Sequence, residues 1–252
     1  MGVLLVASGA VAPWNSKVAL PVMRGLEGYF TFDSDVSRFG FNRAPGKPDG
    51  QIVGSPLAFA THGRFNGQAN KLTTKISETA NQTIIVVGKS ADAVPTSPAA
   101  NQQPVYVSNN YGTGVNAPYV GLVATGVSLY HPANDRTQGG ASRDNGSGAL
   151  VSGAVSLTAT LANSWAIRAV RATSGGANTT LDLTTNTSAT GTNTNARGMN
   201  NKPFHIGGHD IGDSGLVDIS AVAIYSVALT DAEIQLVAGV MRKRMARLGI
   251  VV

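Results

Sequence analysis

Two short segments hold the side chains that sugar binding asks for. SNNYGTGVNAPY, residues 108–119, gathers Asn109, Asn110, Tyr111, Asn116 and Tyr119 in one loop region, and HPANDR, 131–136, adds His131, Asn134, Asp135 and Arg136. An aromatic ring offers a platform to the apolar face of a sugar, and amides and carboxylates beside it pair with hydroxyls. Asn109, Asn110, Tyr111, Asn116, Tyr119, Asp135 and Arg136 are therefore the candidate carbohydrate contacts. The same residues suit a plainer use, in which Asn and Gly make turns and the tyrosines pack at a subunit interface. An aromatic content of 6% leaves a ligand groove few platforms.

Other chemistries find less support. Glycoside hydrolysis needs two carboxyls a set distance apart, one acting as acid and the other as base or nucleophile. Glu27, Glu78 and Glu233 are the only glutamates, and no strand-like segment sets two acids two residues apart; Asp33 and Asp35, at a strand end, come closest. No G-x-S-x-G occurs, and the glycine-rich GSGALVSG lacks the lysine of a phosphate loop. His205 and His209 in HIGGHD straddle a glycine turn, a poor spacing for zinc off a helix. With no cysteine there is no disulfide, thiolate metal site or thiol nucleophile. The expectation is a non-catalytic protein.

These groups need a frame. The chain has 252 residues, 13% of them charged, with 30 glycines and 11 prolines, and Asn, Thr and Ser fill its polar positions. That composition favours strands and loops. Strand signals recur at 26–33, 83–89, 104–110, 119–130, 148–157, 165–173, 179–185 and 204–208, separated by polar, turn-rich stretches at 90–104, 133–148 and 187–203 that read as loops. GLVDISAVAIYSVALTDAEIQ, 215–235, closes the series with a long alternating strand, Val217, Ile219, Ala221, Ala223, Tyr225 and Val227 on one face. Thr230 and Glu233 then form a capping box, Leu229 and Ile234 a hydrophobic staple, and Ile234, Val237, Met241, Met245 and Leu248 the apolar stripe of a helix over 230–248 with Gly249 at its C-cap. One domain over 26–252 and an N-terminal arm over 1–25 are expected.

The 215–235 segment resembles the last strand and closing turn of laminin-G-like, concanavalin A-like lectin and glucanase domains, through Gly215, Asp218, Tyr225, Leu229, Thr230, Glu233 and Ile234. Four further segments are similar to family segments in the same order: LEGYFTFD (26–33), HGRFNGQAN (62–70), the 165–187 hairpin and PFHIGG (203–208). The resemblance spans about residues 26–237 and implies a jelly-roll sandwich of two antiparallel sheets. It departs from the family pattern at Ile219 and Ala166, where an acid and a His are usual. The family's roles include carbohydrate binding, adhesion, structural capping and, in some branches, glycan hydrolysis. The resemblance also implies a structural calcium between the first loop and the last strand, with Asp33, Asp35 and Asp218 as its candidate ligands. The alternative for Asp218 is a strand-edge cap or an arginine partner.

Net charge is +5. Four cations, Arg242, Lys243, Arg244 and Arg247, share the C-terminal run, where they compensate the helix dipole, so nucleic acid is not an expected partner. No run is long enough to cross a membrane. The N-terminal MGVLLVASGAVAPW imitates a signal peptide without a basic residue ahead of its short apolar run, and Val6 stands where a myristoylation signal wants Ser or Thr. Together with the lectin-like resemblance these features lead us to expect a phage virion protein, a tail or decoration subunit. Its arm would bind virion neighbours or further copies of itself, with bacterial surface glycans as the alternative partner.

Overall fold

A computed structural model describes residues 16–252; the rest of the expected arm, residues 1–15, lies outside the described residues. Two large antiparallel sheets stack face to face and one helix covers the outside of the first, as expected. The first sheet runs Thr187–Thr190, Thr179–Asp182, Ala166–Ala172, Gln82–Ser90, Leu216–Tyr225, His62–Asn66, Leu57–Phe59. Leu26–Thr31 lies beside the second half of Leu216–Tyr225, whose first half pairs with His62–Asn66. The second sheet runs Leu150–Ser152, Arg136–Asp144, Val127–Ala133, Val105–Ser108, Pro203–Ile206, Lys71–Ser77, Gln51–Val53, and Val155–Thr158 also pairs with Arg136–Asp144. A small hairpin, Gly112–Thr113 with Val123–Ala124, stands off its edge.

Between the sheets lies one apolar layer, with Phe30, Ile84, Val86 and Val222 from the first sheet against Leu72, Val107, Leu129 and Phe204 from the second. Phe32 sits edge-on to both Phe39 and Phe65, ring centroids 5.1 and 5.0 Å apart, each such contact adding about 0.5–1.5 kcal/mol beyond burial. A second apolar layer holds the helix Asp231–Arg247 to the outer face of the first sheet through Ile85, Val87, Ala223 and Tyr225 against Ile234, Val237, Met241 and Met245. Leu20 and Val22 from the described part of the arm belong to this layer, and Tyr225 Oη donates to the Val22 carbonyl at 3.2 Å. Residues 16–25 are therefore packed onto the domain.

The helix ends are built as the sequence indicates. Glu233 N–H donates to Thr230 Oγ1 at 3.3 Å and Thr230 N–H to Glu233 Oε2 at 2.8 Å. At the other end Gly249, at φ +75°, lets Ile250 N–H reach the Met245 carbonyl at 3.0 Å and Gly249 N–H the Ala246 carbonyl at 3.1 Å, a Schellman closure.

Several expectations need correction. The 187–203 stretch, read as a loop, opens with the strand Thr187–Thr190. The 133–148 stretch, read likewise, contains the nine-residue strand Arg136–Asp144. Its Gly139 lies where a Cβ would meet Val170 of the opposite sheet at 2.9 Å, so the residues that made it look like a loop are what allow the sheets to close. The closing strand does not keep one face throughout. A register shift between Ile219 and Ala221 puts Val217 and Ile219 in the inter-sheet layer with Val222 and Ile224, and Ala221, Ala223 and Tyr225 under the helix. A bulge inserts one residue and inverts the alternation beyond it.

Candidate functional site

Alternation in the second sheet decides what faces outward. Val127 and Leu129 point into the inter-sheet layer, so Ser128 and Tyr130 of the same strand point out. Around them Val105, Ser108, Asn110, Tyr111, Thr125, Ser152, His209 and Asp213 close a pocket of about 100 Å³. Its walls come from three strands, Val105–Ser108, Val127–Ala133 and Leu150–Ser152, from the turns that hold Asn110, Tyr111 and Thr125, and from the glycine-rich loop after Pro203–Ile206.

The pocket pairs aromatic faces with hydrogen-bonding groups. Tyr111 is 45% exposed at the rim. Tyr130 lies deeper and accepts from Gln138 Nε2 at 2.8 Å. Burial, with the Asp213 and Tyr111 charges, pushes its phenol up to about 12, so it remains a hydroxyl at ordinary pH. Burial also pushes the Asp213 carboxyl up and holds His209 below the usual imidazole value. His209 Nε2 is 2.8 Å from the Asp213 backbone carbonyl. A carbonyl only accepts, so Nε2 carries the proton and Nδ1 is left as an acceptor. That Nδ1 and Asn110 Oδ1 are both buried without a hydrogen-bond partner among the described residues. Buried polar atoms are normally paired, and these two orphans belong to residues that line one pocket.

Of the seven carbohydrate candidates, the structure brings Asn110 and Tyr111 into this pocket. Asn109 is buried and structural: its amide donates to Glu78 Oε2 at 3.0 Å and Asn200 Oδ1 at 2.8 Å and accepts from Val127 N–H at 2.7 Å. Asn116 bridges the Arg197 carbonyl and Met199 N–H, at 2.9 and 2.7 Å. Tyr119 is buried, its hydroxyl donating to Asp144 Oδ2 at 2.9 Å. Asp135 and Arg136 sit at the reversal between Val127–Ala133 and Arg136–Asp144, where Ala133 pairs with Arg136, and neither lines the pocket. Ser108, Ser128, Tyr130, Ser152, His209 and Asp213 were missed. For Ser128 and Tyr130 the signal was present, since they alternate with the apolar Val127 and Leu129.

The three candidate calcium ligands do not meet. Asp218 is 1% exposed, and Arg64 donates to it from Nε at 2.7 Å and from Nη2 at 3.1 Å, with His62 Nε2 at 3.4 Å and Lys89 Nζ at 3.9 Å. This is the arginine-partner alternative. Asp35 caps the short helical turn Val36–Arg38, accepting from Ser37 N–H at 2.9 Å, and lies 3.0 Å from Arg38 Nε. Among the described residues no three His, Asp or Glu side chains are placed to hold a metal ion. No helix among them is long and apolar enough to cross a membrane.

No family model and no curated protein sequence matches the chain. Solved structures match its fold. A Trypanosoma rangeli sialidase mutant displaying trans-sialidase activity aligns with TM-score 0.59 and 15% identity over 89% of this chain and 34% of that one. Botulinum neurotoxin type C, whose cell entry depends on interaction with two ganglioside molecules, aligns at 0.57 and 9% over 85% of this chain and 51% of that one. The receptor binding domain of the botulinum neurotoxin C/D mosaic serotype aligns at 0.57 and 10% over 88% and 53%. At these identities the likeness is one of fold. The chain spans about a third to a half of the length of these proteins.

Proposed function

We propose that the protein is a non-catalytic, lectin-like glycan-binding module whose ligand is a neutral sugar held in the pocket of Tyr111, Tyr130, Asn110, His209 and Asp213. The observation that carries this reading is the pair of unpartnered buried acceptors, Asn110 Oδ1 and His209 Nδ1, beside an exposed tyrosine ring. Sugar hydroxyls are donors that fit both acceptors, and the Tyr111 ring covers an apolar sugar face. No Arg or Lys is among the lining residues and Asp213 is, so a carboxylated sugar finds no cation there. The volume suits the edge of one ring, with the rest of an oligosaccharide lying over the rim.

The non-catalytic reading rests on the same inventory. Asp213 is the one carboxyl lining the pocket, whereas hydrolysis needs two. The three glutamates are engaged elsewhere, Glu27 with Lys47, Glu78 with Arg197 and Glu233 with Arg24 and the helix cap. Similar folds in proteins that process or bind sialylated glycans and gangliosides support a glycan as the ligand class. We place the module on a phage virion, where binding bacterial surface glycans serves host adhesion; the cysteine-free, Asn/Thr/Gly-rich composition supports that setting.

The test is a glycan array of neutral and acidic bacterial polysaccharides, followed by calorimetric titration of hits against wild type and Tyr111→Ala. Neutral hits that lose at least tenfold in affinity in Tyr111→Ala are the expected result. Binding confined to acidic glycans, or hits indifferent to Tyr111→Ala, would remove this pocket as the site.

A further inference from the structure

On the opposite side of the sandwich, where the helix meets the first sheet, Val18, Tyr29, Thr31, Arg43, Val240, Arg244 and Arg247 surround a cleft of about 210 Å³. Three guanidinium groups enter it from two elements. Arg43 comes from the loop after the first strand, its Nε donating to Thr31 Oγ1 at 2.6 Å and Nη1 to the Ser16 carbonyl at 3.3 Å. Arg244 and Arg247 come from the last turn of the helix, three residues apart and so on one face. Arg244 donates once, to the Phe32 carbonyl at 3.0 Å, and its Nε is buried without a partner. Among the described residues none of the three arginines forms an ion pair, although eleven other cationic side chains do.

Electrostatics point the same way. Burial lowers both Arg43 and Arg244, with Asp33 the carboxylate that works against it from beyond ion-pair distance. Burial raises the Tyr29 phenol, and Arg244, Arg43 and Arg247 each pull it back, so this hydroxyl sits where the three charges converge. Partly buried cations without an ion-paired carboxylate are costly, and a fold that keeps two of them, Arg43 and Arg244, beside the exposed Arg247 around one cleft leaves a favourable place for an anion. Helix-dipole compensation accounts for Arg244 and Arg247. It does not account for Arg43, which belongs to another element.

We propose that this cleft is an anion site for a phosphate or sulfate group. A carboxylate presents its acceptor positions in one plane, whereas a tetrahedral oxyanion presents oxygens in three dimensions, which suits guanidiniums that arrive from two elements together with the Tyr29 hydroxyl. The cleft is larger than the bare ion and leaves space for the group that carries it. The phosphoryl group comes either from a small phosphate ester or from a phosphate-bearing surface polymer. This site is independent of the glycan pocket, which shares none of its residues.

The experiment is calorimetric titration of the full chain with inorganic phosphate, glycerol phosphate and poly(glycerol phosphate) at ionic strength held constant with potassium chloride, alongside thermal unfolding in each. Saturable phosphate binding with a rise in Tm is expected, weakened at least tenfold in Arg43→Gln and in Arg247→Ala. Arg247 is exposed and its side chain makes no hydrogen bond among the described residues, so its variant should fold normally. Tighter binding per phosphate by the polymer would identify a surface polymer as the source; equal or tighter binding by glycerol phosphate would identify a small ester. An equal Tm rise with chloride alone, or unchanged phosphate affinity in a folded Arg247→Ala, would overturn the proposal.

Discussion

Asp218 shows how far a single residue could be read in advance. It stands in a family-like segment, and the resemblance implied a cation beside it; the structure gives it Arg64 instead, three residues into the strand that pairs with it, at Asp218↔Arg64. That pairing is a product of register, which sequence alone leaves open between strands so far apart. Burial opposes its charge, but the Arg64 hydrogen bonds and the nearby Arg64 and His62 outweigh burial, and the carboxyl lies below its usual value. A carboxyl lowered in the folded state stabilises it fully above the unfolded value of about 3.9, and that contribution disappears as pH falls through the folded value. Asp218→Asn is therefore expected to cost about 1.5–3 kcal/mol at neutral pH, softened by the partial exposure of Arg64, and to flatten the loss of stability as pH falls below the unfolded value of about 3.9. Urea unfolding across that range checks it; a variant whose acid profile superimposes on wild type would show that Asp218 is not the titrating group. With the carboxylate already paired, calcium or a chelator is expected to leave the Tm unchanged, and a rise in Tm with calcium would restore the cation site.

At the scale of elements, the closing helix was the most legible part because its signals are local. Cap, staple, stripe and terminal glycine lie within 21 residues of sequence, 229–249, and each is realised. Thr230→Ala is expected to lower stability by about 0.5–2 kcal/mol while leaving sugar and phosphate binding intact. Unchanged unfolding curves would mean that the backbone amide of Glu233 is satisfied in some other way. Glu233 itself is held down to about 2 by Arg24 and by the Thr230 amide, so the cap persists into acid. Strand Arg136–Asp144 was illegible for the converse reason. Its Gly139, Gly140 and Ser142 have neither branched side chains nor alternation, and their fitness for a strand depends on Val170 and Thr180 across the core and Ala154 beside it. The bulge at Ser220 is similarly a property of pairing: Leu216–Tyr225 must serve Gln82–Ser90 along its whole length on one side and two different strands on the other.

Across the whole molecule, the rim of the proposed glycan pocket is tied to the sandwich by a buried ion pair. Glu78, at the end of Lys71–Ser77, pairs with Arg197 and accepts from Asn109 and from the Asn200 amide at 3.0 and 3.1 Å. Arg197 also donates to the Thr79 and Ala80 carbonyls, each at 2.9 Å, and Asn200 to the Asn109 carbonyl at 2.8 Å. Residues far apart in sequence are thus fastened directly below Asn110 and Tyr111. Burial pushes the Glu78 carboxyl up, and Arg197 with the Asn109 amide works against that rise. Glu78→Gln would leave Arg197 buried without a counter-charge, a change that costs about 3–5 kcal/mol for such pairs. Because the network supports one face of the sandwich and the arginine cleft lies on the other, the substitution should weaken sugar binding more than phosphate binding. Urea unfolding with parallel titrations of both ligands separates the effects. A stability loss that weakens both ligands equally would mean the pair holds up the fold as a whole, with no particular part in setting the rim.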